Sequence, residues 1–389
     1  MKILITALAD LSQAKGSTVH LLELVQRLRD AGHEVRLLVS DYGRPDRPVE
    51  GVVFVPVRSL KVRGLRYLTG LLTFQASLLL RLIAAARTDR PDVIYARHDA
   101  FLIMPALFCA IWRVPMVAEI NGVLSFELTL RGHGRAGIFI NRIVERFAYR
   151  RARSVVAVSE GVKAHLLEDL RVPASRVVVS PNGADIEAFV PVRGGGGEAE
   201  APVFGYVGGL QPYQGVDRIL EALAVLKQRG CRFRFVVVGD GPERMRLEAL
   251  ASRLGLAEDV WFVGRVAHQE VPDAVRGMDL CVLSKVPRAQ GVTFPHSSSP
   301  VKAFEYMAAG KPIVSSDMDD FRFIAEAGAG ILADVLDAEA FADALWKVAS
   351  DKDLARSMGE AGRRFAEREG SWERSAARVE AACREAIAS

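Results

Sequence analysis

The residues best suited to do chemistry lie in one segment, Ser299-Pro-Val-Lys-Ala-Phe-Glu-Tyr-Met-Ala-Ala-Gly-Lys-Pro-Ile-Val-Ser-Ser-Asp317. It reads as a short helix followed by a buried strand. Ser299 is of the type that caps a helix, and Pro300 suits the first helical position. Gly310 stops the helix and Pro312 forbids its return. Lys302 then falls at the third position, where the positive end of the helix dipole disfavours a cation. Glu305 follows three residues later on the same face. A lysine held against the dipole, beside free backbone N–H groups, marks a place for an anion, and phosphate is the usual one. A carboxylate one turn deeper can accept two hydrogen bonds from a ribose diol. Together the pair describes a nucleoside-diphosphate site. The competing role is an exposed helix ion pair worth a few tenths of a kcal/mol.

The elements that must hold such a site are legible on either side of it. Lys2–Ala7, Glu34–Val39, Val52–Val57, Val93–Tyr95, Met116–Glu119 and Ser154–Val158 read as strands with helices between them. Ser17–Ala31 places Val19, Leu21, Leu22, Leu24, Val25 and Leu28 at helical spacing. The run from Val192 to Pro202 then breaks the alternation. Its four successive glycines, Gly194 to Gly197, cannot pack inside an element and mark a linker. The alternation restarts with strands at Val203–Val207, Phe233–Val238, Val260–Val263 and Asp279–Leu283. Helices at Gly215–Gly230, Pro242–Leu254 and Val271–Gly277 separate them. This pattern predicts an α/β protein of two Rossmann-like, doubly wound domains facing a central cleft. The domains are residues 1–190 and 203–370, joined by the linker 191–202. Residues 371–389 form a final helix expected to pack back on the first domain. Ligands of such folds bind at the carboxyl ends of strands. Gly16, Gly208-Gly209 and Gly239-Asp-Gly241 stand at such ends, but none forms G-x-G-x-x-G, so a dinucleotide cofactor is unsupported.

The chain has 389 residues, 50% of them hydrophobic, which is enough for two cores. Its net charge of +4 fits an anionic substrate or an anionic membrane surface without demanding either. No nucleic-acid module is present. Cys109, Cys231, Cys281 and Cys383 are scattered and read as reduced core residues of an intracellular protein. No His/Cys/carboxylate cluster has metal-ligand spacing. The apolar N-terminus reads as a first buried strand rather than a signal peptide. Residues Leu65 to Ala86 are leucine-rich, but Gln75 and Arg81 interrupt them, which favours a buried or amphipathic helix over a membrane span. Arg58, Lys61, Arg63 and Arg66 precede it and leave open a surface contact with a membrane.

In order and spacing these segments resemble the family 4 glycosyltransferases. The resemblance covers nearly the whole chain. It runs through Gly32-His-Glu-Val35, Asp92-Val-Ile-Tyr95, Pro181-Asn-Gly-Ala-Asp185, Gly205-Tyr-Val-Gly-Gly-Leu210, Gly215-Val-Asp217, Val238-Gly-Asp-Gly-Pro242, Phe262-Val-Gly264 and Ser299–Asp317. It implies the GT-B fold, transfer from a nucleotide diphosphate sugar with retention, and no required cofactor or metal. Glu305 then holds the donor ribose. The backbone of Ser298 and Ser299 approaches the diphosphate and sugar, Gly16 lets the N-terminal loop near the phosphate, and Arg265 and Val266 lie against the base. Three positions depart from the pattern. Ser297 replaces the first glutamate of the family's E-x7-E motif. Gly209 and Gln214 stand where an arginine and a lysine usually neutralise the diphosphate. Lys302 and the helix N-terminus are the expected substitutes, since the leaving group needs a cation or oriented dipoles.

Arg97 and His98, at the end of the strand Asp92–Tyr95, are candidates to touch the transferred sugar or the diphosphate. Glu119, Asn121 and Glu127 are candidates for acceptor binding; a core role for Glu119 and a capping role for Asn121 compete. The resulting expectation is a cytoplasmic hexosyltransferase, peripheral at the membrane, acting on a glycan or lipid-linked glycan in surface polysaccharide biosynthesis. A non-catalytic nucleotide-sugar-binding subunit and a GT-B nucleotide-sugar epimerase fit the same architecture.

Overall fold

Short runs of β-branched and apolar residues alternate with amphipathic helices along the chain, and in the computed structural model each run becomes a strand of one of two parallel sheets. The described residues are 1–12, 16–44, 49–60, 66–130, 132–191, 201–289, 292–293 and 299–389. They divide into two compact units, one built on Met1–Pro181 with Trp372–Ser389, the other on Asn182–His296 with Pro300–Ser371.

Unit 1 contains, in order, β1 (Lys2–Ala7), α1 (Gly16–Asp30), β2 (Glu34–Ser40), β3 (Val52–Val55), α2 (Arg66–Thr88), β4 (Val93–Arg97), α3 (Met104–Trp112), β5 (Met116–Ile120), α4 (Leu124–Leu130), α5 (Arg135–Arg151), β6 (Ser154–Ala157), α6 (Glu160–Glu168) and β7 (Val177–Val179). Its sheet has the order β3-β2-β1-β4-β5-β6-β7, with all pairs parallel. The strand order therefore reverses between β1 and β4. The strands are buried on both faces. Phe74, Leu78 and Leu82 of α2, Phe108 of α3 and Tyr149 of α5 cover one of them. Leu21, Leu24 and Leu28 of α1 cover the other.

Unit 2 contains β8 (Val203–Val207), α7 (Val216–Gln228), β9 (Arg234–Val238), α8 (Arg244–Arg253), β10 (Val260–Gly264), α9 (Val271–Arg276), β11 (Leu280–Leu283), a short ladder of β12 (Arg288–Ala289) and β13 (Val292–Thr293), α10 (Val301–Ala308), β14 (Ile313–Ser316), α11 (Arg322–Glu326), β15 (Gly330–Ala333), α12 (Ala338–Ser350) and α13 (Lys352–Arg368). Its sheet runs β10-β9-β8-β11-β14-β15 and reverses between β8 and β11. The last helix, α14 (Trp372–Ala388), belongs to unit 1. There Val379, Ala382 and Cys383 join the core beside α1, and Ser375 Oγ lies 3.1 Å from Ser180 Oγ.

Element edges differ from the sequence reading by a few residues. The third strand stops at Val55 and the fourth continues to Arg97. Unit 2 begins at Asn182, ahead of the glycine-rich linker, whose residues 192–200 lie outside the described residues.

Candidate active site

At the reversal point of the second sheet, the carboxyl ends of β8 and β11 lie side by side, the place where doubly wound folds hold ligands. Gly208 follows β8 with φ +150°, and a Cβ there would stand 2.9 Å from Lys302 Nζ. Gly239 follows β9 with φ +137°, and its Cβ would fall 2.0 Å from the Gly208 carbonyl oxygen. Both positions therefore demand glycine. The loops are laced backbone to backbone: Gly208 N–H donates to the Val238 carbonyl (2.9 Å) and Gly239 N–H to that of Gly264 (2.8 Å). Gly209 is different, because the nearest atom to its Cβ position is 4.0 Å away.

Helix α10 brings the chemistry to this point. It begins at Val301 with Pro300 as N-cap and no side-chain cap, so Ser299 does not cap it as its type had implied. Lys302 is therefore the second helical residue, still within the first turn of free N–H groups. Gly310, at φ +65°, ends the helix, with Lys311 N–H bonded to the Tyr306 carbonyl (3.0 Å). Tyr306 Oη accepts the Val207 N–H at 2.7 Å and fixes α10 to the end of β8.

Lys302 Nζ donates to Gln214 Oε1 (2.9 Å) and to Tyr206 Oη (3.1 Å), and sits 4.3 Å from the centre of the Tyr206 ring. Among the described residues no carboxylate forms an ion pair with it. Burial pushes the Lys302 ammonium down to about 7, with Glu305 acting weakly against the shift. Burial likewise pushes the Glu305 carboxyl up to about 7, opposed by Lys302. Glu305 is 6% exposed. A half-buried ammonium that no carboxylate among the described residues pairs with, beside a glycine-lined loop and a helix N-terminus, is suited to hold an anion.

Gln214 ends a tight turn, Pro212–Gln214, before Gly215 at φ +61°. Its carbonyl accepts from the Ser284 hydroxyl at the end of β11. Tyr206 was not singled out by sequence, nor was Ser284. The available signal was an aromatic hydroxyl set between glycines at the end of a buried strand, Gly205-Tyr206-Val207-Gly208. A second cation nearby, Lys285, is bound to the buried Asp320 at 2.5 Å. Arg265 follows Gly264 (φ +89°) and is exposed, while Val266 packs against the core. Ser299 is half-buried; Ser297 and Ser298 lie outside the described residues.

The reversal point of the first sheet carries the other candidates. Arg97 Nη1 donates to the Ser17 carbonyl at 2.6 Å, beside Gly16, the first residue of α1. His98 is buried and meets Tyr149 edge-on, with ring centres 5.0 Å apart. Burial lowers its imidazole to about 4, so it is neutral at pH 7, and among the described residues its Nε2 has no hydrogen-bond partner. Glu119 is fully enclosed, with Oε1 2.5 Å from His20 Nε2. Burial alone would raise this carboxyl, but the bond and charge of His20, helped by Arg97, hold it at about 2. Glu119 is thus bonded to His20 inside the core and is not the rim carboxylate that its place at a strand end had suggested. Asn121 and Glu127 are half-buried, and Glu127 lies in the first turn of α4. Among the described residues no group of three or more His, Cys, Asp or Glu side chains is placed to hold a metal ion.

Two doubly wound parallel sheets, the second with a lysine and a helix N-terminus at its reversal point, define an α/β protein of the class that binds ligands at strand carboxyl ends. The model described as Glycosyltransferase Family 4 matches residues 14–188, and that described as Glycosyl transferases group 1 matches residues 195–365. The chain is 30% identical over 335 residues to the 2-deoxystreptamine N-acetyl-D-glucosaminyltransferase of Streptomyces fradiae, covering 78% of this chain and 75% of that one. Sucrose-phosphate synthase of Thermosynechococcus elongatus shares the fold with a TM-score of 0.77 at 20% identity over 99% of both chains. HepE of Anabaena, solved in complex with UDP and glucose, does so with a TM-score of 0.74 at 20% identity over 98% of both. The chain belongs to the family 4-type glycosyltransferases and has the GT-B fold.

Proposed function

We propose that this glycosyltransferase moves a hexose, with retention, from a nucleotide diphosphate sugar to a hydroxyl of a glycan or lipid-linked glycan, in surface polysaccharide assembly at the cytoplasmic face of a membrane. The observation that carries the donor half is Lys302 Nζ, held by Gln214 and Tyr206 above Gly208 with no carboxylate partner among the described residues. The diphosphate would lie beside Lys302 and the N-terminus of α10, and Glu305 would accept hydrogen bonds from the ribose hydroxyls. Charge developing on the departing diphosphate then meets a preset cation and dipole. In retaining transfer on one face, the leaving oxygen can itself receive the acceptor proton, so the chain's task is positioning. The complex of HepE with UDP and glucose supports uridine nucleotides as the first donors to try.

A second acceptor class, a small polyol, is favoured by the likeness to a 2-deoxystreptamine transferase. Product analysis separates the readings. Incubation with a nucleotide sugar and each acceptor class, followed by NMR of the anomeric proton, should show a retained linkage on the glycan or lipid-linked acceptor. An inverted linkage, or donor epimerised without acceptor, would refute the proposal.

A further inference from the structure

We propose that the outer face of α2, α3 and α5 in unit 1 docks on an anionic lipid bilayer. This names the surface behind the membrane-face acceptor reading above, and it is testable without any substrate.

The three helices pack in the order α2, α3, α5 and bury their inner sides in the same core, so their outer sides share one direction. Gln75 of α2 ties the first pair by accepting the Ile103 N–H at 2.9 Å. Tyr67 of α2 meets His133, just before α5, with ring centres 5.7 Å apart. On that outer side Leu72, Leu80, Ile111, Phe139, Ile140 and Ile143 are each more than half exposed. Single exposed apolar side chains are ordinary, but six on three adjacent helices form a patch that calls for an occupant.

The charges choose the occupant. The three helices carry eight arginines and a single acid, Glu145, which is buried. Across the chain, residues 1–181 hold 26 basic against 16 acidic side chains, while 182–389 hold 25 against 31. Where α3 and α5 end, a cavity of about 250 Å³ is lined by Arg113, Arg151 and Arg153. A protein partner would have to bring both apolar surface and many carboxylates. A bilayer of anionic lipid supplies both at once: acyl chains for the leucine, isoleucine and phenylalanine side chains, and phosphates for the guanidinium groups. By length and composition α2 could cross a membrane, but Phe74, Leu78 and Leu82 are sealed against the sheet, so it would lie along the surface.

Co-sedimentation with phosphatidylcholine vesicles, with and without about one third phosphatidylglycerol, tests this. The full chain should bind the anionic vesicles at least ~10-fold more tightly than the neutral ones, and about 0.5 M salt should release it. Leu72→Ser/Phe139→Ser/Ile143→Ser, and separately Arg81→Gln/Arg135→Gln/Arg150→Gln, should each weaken binding by ~10-fold or more. All six side chains are exposed, so thermal melting and nucleoside-diphosphate binding should stay as in the parent protein. No partition, equal partition to neutral vesicles, or full retention by both variants would overturn the proposal. So would a dimer of the parent chain that the same variants dissociate, since the face would then be a protein interface. Loss of nucleotide binding in the parent would instead refute the donor-site reading and leave the vesicle result standing.

Discussion

Lys302 Nζ lies 2.9 Å from Gln214 Oε1. By the family resemblance Gln214 stands where a lysine is expected, and we infer that Lys302 of α10 supplies the cation there.

If so, the two positions should trade. Lys302→Ala should lower turnover by roughly 10²-fold and affect donor affinity less, because its main partner is charge formed on the leaving group. Adding Gln214→Lys to that variant should recover at least a tenth of the loss on a logarithmic scale, and more if Gly209→Arg is also present. Steady-state kinetics of the three variants check this; equal inactivity of all three would separate Lys302 from the chemistry.

Donor affinity should pass through a maximum near pH 7. Glu305 must be ionised to accept the ribose hydroxyls, and burial has raised its carboxyl to about 7, so affinity falls on the acid side. Lys302 must be charged to meet the diphosphate, and burial has lowered it to about 7, so affinity falls on the alkaline side. Glu305→Gln should flatten the acid limb, because the diphosphate diester of a nucleotide sugar has no proton that titrates in this range. Stability of the free protein moves the opposite way. The Glu305 contribution is complete below its ordinary range and lost as pH rises through about 7. The Lys302 contribution is complete above its ordinary range and lost as pH falls through about 7. The melting temperature should therefore dip around neutrality and recover on adding nucleotide.

Three neighbouring glycines should respond differently to alanine. Gly239→Ala drives a Cβ to within 2.0 Å of a backbone oxygen and should cost roughly 3 kcal/mol or more. Gly208→Ala combines strain at φ +150° with a contact on Lys302 Nζ, and should cost about 1–3 kcal/mol while weakening donor binding. Gly209→Ala meets nothing closer than 4.0 Å and should stay within about 0.5 kcal/mol of the parent. Chemical denaturation orders the three; a destabilised Gly209→Ala would contradict the loop geometry.

His20→Ala should destabilise unit 1 by about 1–3 kcal/mol, since it removes the short hydrogen bond to the buried Glu119 carboxylate. Because Glu119 is held at about 2, its stabilising contribution is present above its ordinary carboxylate range and lost as pH falls through about 2. Acid titration of the parent should therefore show a loss of stability that Glu119→Gln does not.

Much of this was readable from the chain because its signals are local. Strand β8 and helix α14 fall where the alternation of strands and helices puts them, and Lys302 and Glu305 share one short helix. What escaped was long-range. Glu119 meets His20 across 99 residues, and a strand-end carboxylate looks alike from sequence whether it faces a rim or a core. Tyr206 reaches Lys302 across 96 residues, and an aromatic on a buried strand reads simply as core. Ser299 resembled a cap, yet Pro300 itself took that position, because its extended ψ of 110° already places it outside the helix.

The central claim is that a nucleoside diphosphate binds beside Lys302 and Glu305 at the second reversal point. It is tested most directly by calorimetric titration of nucleoside diphosphates, UDP first, into the full chain and into Glu305→Ala, with and without magnesium. Binding of one nucleotide in the micromolar range, unchanged by the metal and weakened by about 1–3 kcal/mol in the variant, is the expected result. Absence of binding by every nucleotide, or equal affinity in both proteins, would contradict it.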